Sequence, residues 1–92
     1  MIKGFKHKGL QWFFEAGDKK GIQPKHANRL RDILAALDAA TSPKDMGAPN
    51  FRLHLLEPPG AKRWSVYVAK NWSVDFLFRG GHAEDVDYVD HH

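Results

Sequence analysis

The chain has no cysteine, so disulfides, thiolate metal sites and thiol nucleophiles are excluded together. It has no apolar run near the roughly 18–20 residues that a membrane span needs, and its opening Met1-Ile2-Lys3-Gly4-Phe5-Lys6 lacks the apolar centre of a secretory signal. Gly80-Gly81 is a turn signal, and no phosphate-binding glycine loop, helical zinc motif or nucleophile elbow is present, which leaves nucleotide-dependent chemistry unsupported. Acidic residues are scarce in the first third and basic residues are missing from the last thirteen positions. A cytoplasmic protein is expected, with no membrane association and no cofactor.

What remains is 92 residues, 42% hydrophobic and 27% charged, with a net charge of +3. This suits one domain over residues 1–92, with no internal repeat and no linker. A chain of this length buries only about 60–65% of its unfolded surface, so any functional site must share residues with the surface of one core.

The charge is uneven. Residues 1–31 hold eight Lys or Arg (Lys3, Lys6, Lys8, Lys19, Lys20, Lys25, Arg29, Arg31) against Glu15 and Asp18, net +6. Residues 80–92 hold Glu84, Asp85, Asp87 and Asp90 and no positive side chain. A basic stretch this dense marks a polyanion partner, most often nucleic acid, although a solvated helix face has the same composition.

Hydrophobic spacing assigns the elements. Ile2 and Phe5 open the chain as a short strand. Leu10, Phe13 and Phe14 recur at helical spacing over residues 8–16 and stop at Gly17. Pro24 begins a second helix carrying Ala27, Leu30, Ile33, Leu34 and Leu37, which ends near Ala40 because Thr41-Ser42-Pro43 cannot continue it. Residues 42–50 form a loop in which Ser42 and Pro43 start one helical turn.

Beyond it the period changes from 3.6 to 2. Phe51, Leu53 and Leu55 form one strand, Trp64, Val66 and Val68 a second, Val74, Phe76 and Phe78 a third, and residues 85–90 a fourth. Placing Val66 and Val68 on the face of Val74 and Phe76 requires an odd number of residues between the strands. Lys70-Asn71-Trp72 meets this, with Asn71 left-handed and Ser73 opposite Ala69. The expectation is an α+β fold, two amino-terminal helices on one side of an antiparallel sheet of four to five strands. Its other face is open and carries Arg52, His54, Ser73, Asp75 and Arg79.

Six histidines are a high count. Asp90, His91 and His92 could supply metal ligands, but adjacent strand residues point to opposite faces, and no metal site is expected. His54 lies between Leu53 and Leu55 yet points away from the core. An imidazole there is a candidate general acid or base, with Arg52, Lys62, Arg63, Lys70 and Arg79 as candidate phosphate contacts. Trp12, Trp64 and Trp72 suit core or interface anchoring, Trp72 at the proposed turn being the best stacking candidate.

Met1-Ile2-Lys3-Gly4-Phe5-Lys6-His7-Lys8-Gly9-Leu10, Leu37-Asp38-Ala39-Ala40-Thr41, Leu53-His54-Leu55, Trp64-Ser65-Val66, Asn71-Trp72 and Asp87-Tyr88-Val89-Asp90-His91-His92 form an ordered set spanning the chain. This set resembles the HigB toxins of bacterial type II toxin–antitoxin systems, in the RelE/ParE superfamily. The resemblance implies a RelE-like fold and a ribosome-dependent endonuclease that cuts messenger RNA in the ribosomal A site. It implies a HigA-like helix-turn-helix antitoxin as partner, operator DNA being reached only through that antitoxin. Lys6, Lys8, Lys19, Lys20 and Lys25 would then face ribosomal RNA.

The resemblance also implies a catalytic set. His54, Asp90 and His92 match the family, whereas Glu57 replaces a lysine, Ser73 the phosphate-binding arginine that follows Asn71-Trp72, and His91 a tyrosine. His54, His91, His92 and Asp90 are thus the expected catalytic residues, with Asn71 and Ser73 joining the RNA-binding set. Two other readings stay open, a weak or inactive homologue acting through its antitoxin and a plain RNA-binding domain.

Overall fold

A computed structural model of the chain describes residues 1–56 and 62–91. Helices α1 (Lys8–Ala16) and α2 (Ala27–Ala39) precede strands β1 (His54–Leu55), β2 (Trp64–Ala69), β3 (Trp72–Arg79) and β4 (His82–Asp90). The four strands form one antiparallel sheet in chain order, an α+β meander. Among the described residues no helix is long and apolar enough to cross a membrane.

Local chemistry sets the helix ends. His7 Nδ1 accepts the Leu10 N–H at 3.0 Å, supplying one of the bonds that the first turn of α1 lacks. Gly17, at φ 72°, ends the helix in the left-handed region. A 3-10 turn, Pro24–His26, leads into α2. The turn expected at Ser42 and Pro43 is present as Pro43–Met46, where Asp45 Oδ2 accepts from the N–H groups of Thr41 and Ser42. These bonds hold the Asp45 carboxyl below its ordinary value.

The core lies between the helices and one sheet face. Leu10, Leu30, Ile33 and Leu37 meet Val66, Val74, Phe76 and Val86 there, all fully buried. Burial of such side chains stabilises by roughly 1.5–3 kcal/mol each, the main favourable contribution to folding. The opening segment runs parallel to β4 through Ile2–Ala83 and Phe5–Val86 bridges. It therefore covers the β4 edge as a partial fifth strand.

The sheet differs from expectation in four places. The strand predicted across Phe51, Leu53 and Leu55 shrinks to His54–Leu55, because Pro49 starts a 3-10 turn that takes Phe51 and Arg52 turns left-handed after it. The fourth strand begins at His82 rather than residue 85. Between β2 and β3 the turn has two residues, Lys70 and Asn71, so Trp72 opens β3 and Ser73 pairs with Tyr67 rather than Ala69. A bulge between Tyr67 and Ala69 supplies the odd residue that parity demands. Asn71 is left-handed as expected, at φ 68°.

The fourth difference concerns the face away from the helices. It bears the cross-strand row His54, Ser65, Asp75, Asp87, with Tyr67, Ser73 and Val89 in the next row. This face is not open in its middle: Ser65, Asp75 and Ser73 are only 1%, 3% and 6% exposed. Arg63 lies across it, donating to the carbonyl oxygens of Asp75 (3.4 Å) and Asp85 (2.7 Å).

Candidate active site

The irregular backbone at the ends of β1, β2 and β4 brings the chemistry together. Arg52 leaves the 3-10 turn Pro49–Phe51 at φ 51°, ψ 49°, and His54 follows with its Nδ1 3.0 Å from the Arg52 carbonyl oxygen. Across the sheet, the Asn71 carbonyl accepts the His91 N–H at 2.6 Å, which pins the chain just beyond β4 beside β3. Between these anchors lies a pocket of about 320 Å³ lined by Arg52, His54, Tyr67, Ala69, Asn71, Trp72, Ser73 and His91.

Two imidazoles, a guanidinium and a hydroxyl thus share one cavity. A carbonyl oxygen only accepts, so His54 Nδ1 carries the proton of its bond to Arg52, and in the neutral ring Nε2 is the nitrogen left with a lone pair. The Arg52 guanidinium carbon stands 4.5 Å from the centre of the Tyr67 ring, a cation–π contact that holds a charge at the pocket wall. Behind the pocket, Ser73 Oγ donates to Asp75 Oδ1 at 2.7 Å. His91 Nε2 lies 2.9 Å from Ser73 Oγ and 3.5 Å from Asp75 Oδ2.

The Trp72 wall is supported from the core side. Its ring lies 4.5 Å from that of Tyr88, whose hydroxyl is 2.6 Å from His26 Nδ1. Burial, then the nearby Lys25 charge, lowers the His26 pKa, and burial raises that of Tyr88.

Six of the residues singled out from sequence, Arg52, His54, Asn71, Trp72, Ser73 and His91, line this pocket. Others lie elsewhere: Arg63 pairs with Asp85 at 2.8 Å and Arg79 with Glu84 at 3.2 Å. Lys62, Lys70 and Asp90 are exposed and outside the lining, as are Lys6, Lys8, Lys19, Lys20 and Lys25. His92 and Glu57 fall outside the described residues. Among the described residues no three His, Asp or Glu side chains are grouped to hold a metal ion.

Sequence reasoning missed two participants. Tyr67 was read only as an alternating polar position, and Asp75 only as part of an open face. The signal for Asp75 was available: Ser73 and Asp75 are two apart on a strand, so their side chains share a face, and an acid there needs a partner.

Over residues 3–92 the chain matches the family described as RelE-like toxin of type II toxin–antitoxin system HigB. It is 38% identical to Endoribonuclease HigB of Proteus vulgaris over 92 residues, covering 100% of both chains.

Proposed function

The chain belongs to the HigB-like family of RelE-type toxins from type II toxin–antitoxin systems, and from that premise we propose that it is an RNA endonuclease whose pocket is the one between Arg52, His54 and His91. Membership brings an antitoxin partner with it. The observation that carries the catalytic reading is the placement of two imidazoles on one cavity beside a guanidinium. The relative's name, an endoribonuclease, agrees with it.

RNA carries its own nucleophile, the 2′-hydroxyl. One imidazole takes the 2′-hydroxyl proton while that oxygen bonds to the adjacent phosphorus, and the bond to the 5′-oxygen breaks. The other, which enters the step as an imidazolium, delivers a proton to the departing oxygen, so the proton count balances with a cyclic phosphate and a 5′-hydroxyl as products. Arg52 sits where it can offer two parallel N–H groups to the phosphate as charge develops. The substrate is messenger RNA in the ribosomal A site, the exposed lysines of the basic first third meet ribosomal RNA, the inhibitor is a HigA-like helix-turn-helix protein, and the protein acts in the cytoplasm.

A second reading has its own support. Ser73 brings no charge and spends its proton on Asp75, and a buried carboxylate behind the pocket opposes an anionic substrate. This favours a weak or inactive homologue that works through its antitoxin. Expressing the chain without antitoxin and mapping cuts on translating ribosomes separates the two. Growth arrest with cuts inside translated codons supports the endonuclease; intact messages with antitoxin binding retained overturn it.

A further inference from the structure

A carboxylate taken out of water is costly unless its oxygens are satisfied, and Asp75 is nearly fully buried on the sheet face behind the pocket. Among the described residues its carboxylate meets two groups, the Ser73 hydroxyl on Oδ1 and His91 Nε2 near Oδ2. With Asp75 ionised, hydrogen bookkeeping over these atoms has one solution. An ionised carboxylate only accepts, so the Ser73 hydroxyl gives its single proton to Asp75. The lone pairs of Ser73 Oγ then face His91 Nε2 at 2.9 Å, and a bond there requires Nε2 to be the donor. Since Asp75 Oδ2 also only accepts, both contacts of His91 demand the same protonated Nε2.

We propose that Asp75, acting through Ser73, is a positioning residue that fixes the ring orientation and tautomer of His91, holding the proton on Nε2 and reserving Nδ1 for the RNA. The inference deepens the endonuclease reading and rests on it for its consequence in catalysis. Ser73 is thereby excluded as a nucleophile, because its proton is directed away from the histidine and the histidine donates to the same oxygen. The arrangement also gives Ser73 a use at the position where the family resemblance implies an arginine: the strand supplies a relay to an imidazole in place of a charge on the phosphate.

The backbone reinforces this. The His91 N–H is held by the Asn71 carbonyl at 2.6 Å, so both the main chain and the ring of His91 are anchored to the β2–β3 turn and the start of β3. A proton-transfer group held at two points loses little orientational freedom in the transition state.

The test uses the full 92-residue chain labelled with nitrogen-15, and reads the ring nitrogens of His91 at a pH where the imidazole is neutral. The parent should show Nε2 protonated and slow to exchange with water, and Nδ1 unprotonated. In Asp75→Asn the relay is free to run backwards, with the amide donating to Ser73 and Ser73 donating to Nε2. Exchange protection should then be lost and the Nδ1–H form should appear. Ser73→Ala should also lose protection, while Ser73→Thr, which keeps the hydroxyl, should retain it.

In cleavage assays Asp75→Asn should lower kcat by roughly 10–100-fold with KM unchanged, as loss of an outer orienting partner does elsewhere. Ser73→Thr should recover most of the cleavage that Ser73→Ala loses. A His91 ring carrying its proton on Nδ1 in the parent, or a ring spectrum unaltered by Asp75→Asn in a chain that melts like the parent, overturns the proposal. Should the parent cut no RNA, the endonuclease reading falls, and the ring spectrum still decides whether the relay exists.

Discussion

The guanidinium of Arg52 rests over the ring of Tyr67, 4.5 Å from its centre, although Arg52 itself occupies the left-handed backbone region at φ 51°. For a residue with a β-carbon this conformation costs about 1–2 kcal/mol. Such strain gathers at functional positions, where surrounding structure enforces it. Here the Pro49–Phe51 turn before it and the His54 ring bond after it do so. Arg52 thus brings a guanidinium to the pocket that is also lined by Ser73, the residue at the position where the family resemblance implies an arginine.

Replacing Arg52 by Gly should separate strain from function. Glycine accepts the left-handed conformation freely, which offsets the lost cation–π contact, so unfolding free energy should stay within about 1 kcal/mol of the parent. Cleavage should fall by roughly 10²–10³-fold, the usual consequence of removing one charge-stabilising donor. Arg52→Lys should recover part of it, since an ammonium keeps the charge and loses the two-pronged geometry. Cleavage unaffected by Arg52→Gly would remove Arg52 from the mechanism.

His54→Ala and His91→Ala should each reduce kcat by at least about 10²-fold, within the range attributed to one acid–base group. Because one takes a proton and the other gives one in the same displacement, the double variant should lose little more than the worse single variant. Multiplicative losses in a double-mutant comparison would show that the two rings act in separate steps.

Much of this arrangement was legible in the sequence. The period-2 segments and the parity of Val66 against Val74 place His54 and Ser73 on one face, and Pro24 and Gly17 mark the helix limits. Three things were hidden. A bulge changes register without leaving a composition signal, so parity alone makes the turn one residue too long and sets Ser73 beside Ala69. Phe51 has the right spacing for a strand, but Pro49 and the left-handed Arg52 override it locally. The burial of Asp75, whose carbonyl oxygen Arg63 reaches from the segment before β2, is a tertiary outcome that periodicity does not encode.

Gly9 and Gly21 provide a check on how the basic amino-terminal half is held. A β-carbon on Gly9 would fall 2.5 Å from the Gly21 carbonyl oxygen, and one on Gly21 would fall 2.3 Å from the Gly9 α-carbon. The start of α1 therefore packs backbone to backbone against the turn before Pro24. Gly9→Ala or Gly21→Ala must push these segments apart and should destabilise by about 1–3 kcal/mol, the range for overpacking. Urea denaturation of either variant measures it, and a midpoint equal to the parent's would mean that the contact is not this close.

The buried pair His26 and Tyr88 predicts how stability responds to acid. His26 Nδ1 lies 2.6 Å from the Tyr88 hydroxyl, which also accepts the Gln23 N–H at 3.4 Å. A neutral His26 ring with its lone pair on Nδ1 accepts the Tyr88 proton while the Tyr88 oxygen still accepts from Gln23. Burial and the Lys25 charge lower the His26 pKa from its ordinary value of 6.5. The unfolded chain therefore binds the His26 proton at a higher pH than the folded one. The stability tied to neutral His26 is complete above pH 6.5, starts to fall as pH drops below that value, and is lost as pH passes through the lower folded pKa. Denaturant unfolding at pH 7.5 and 5.5 should show the parent weaker in acid, and His26→Gln should remove that part of the difference. Tyr88→Phe leaves Nδ1 buried without its donor and should cost about 1–3 kcal/mol at the higher pH. If His26→Gln keeps the full acid sensitivity of the parent, the proton is taken up elsewhere and the pair is not the sensor.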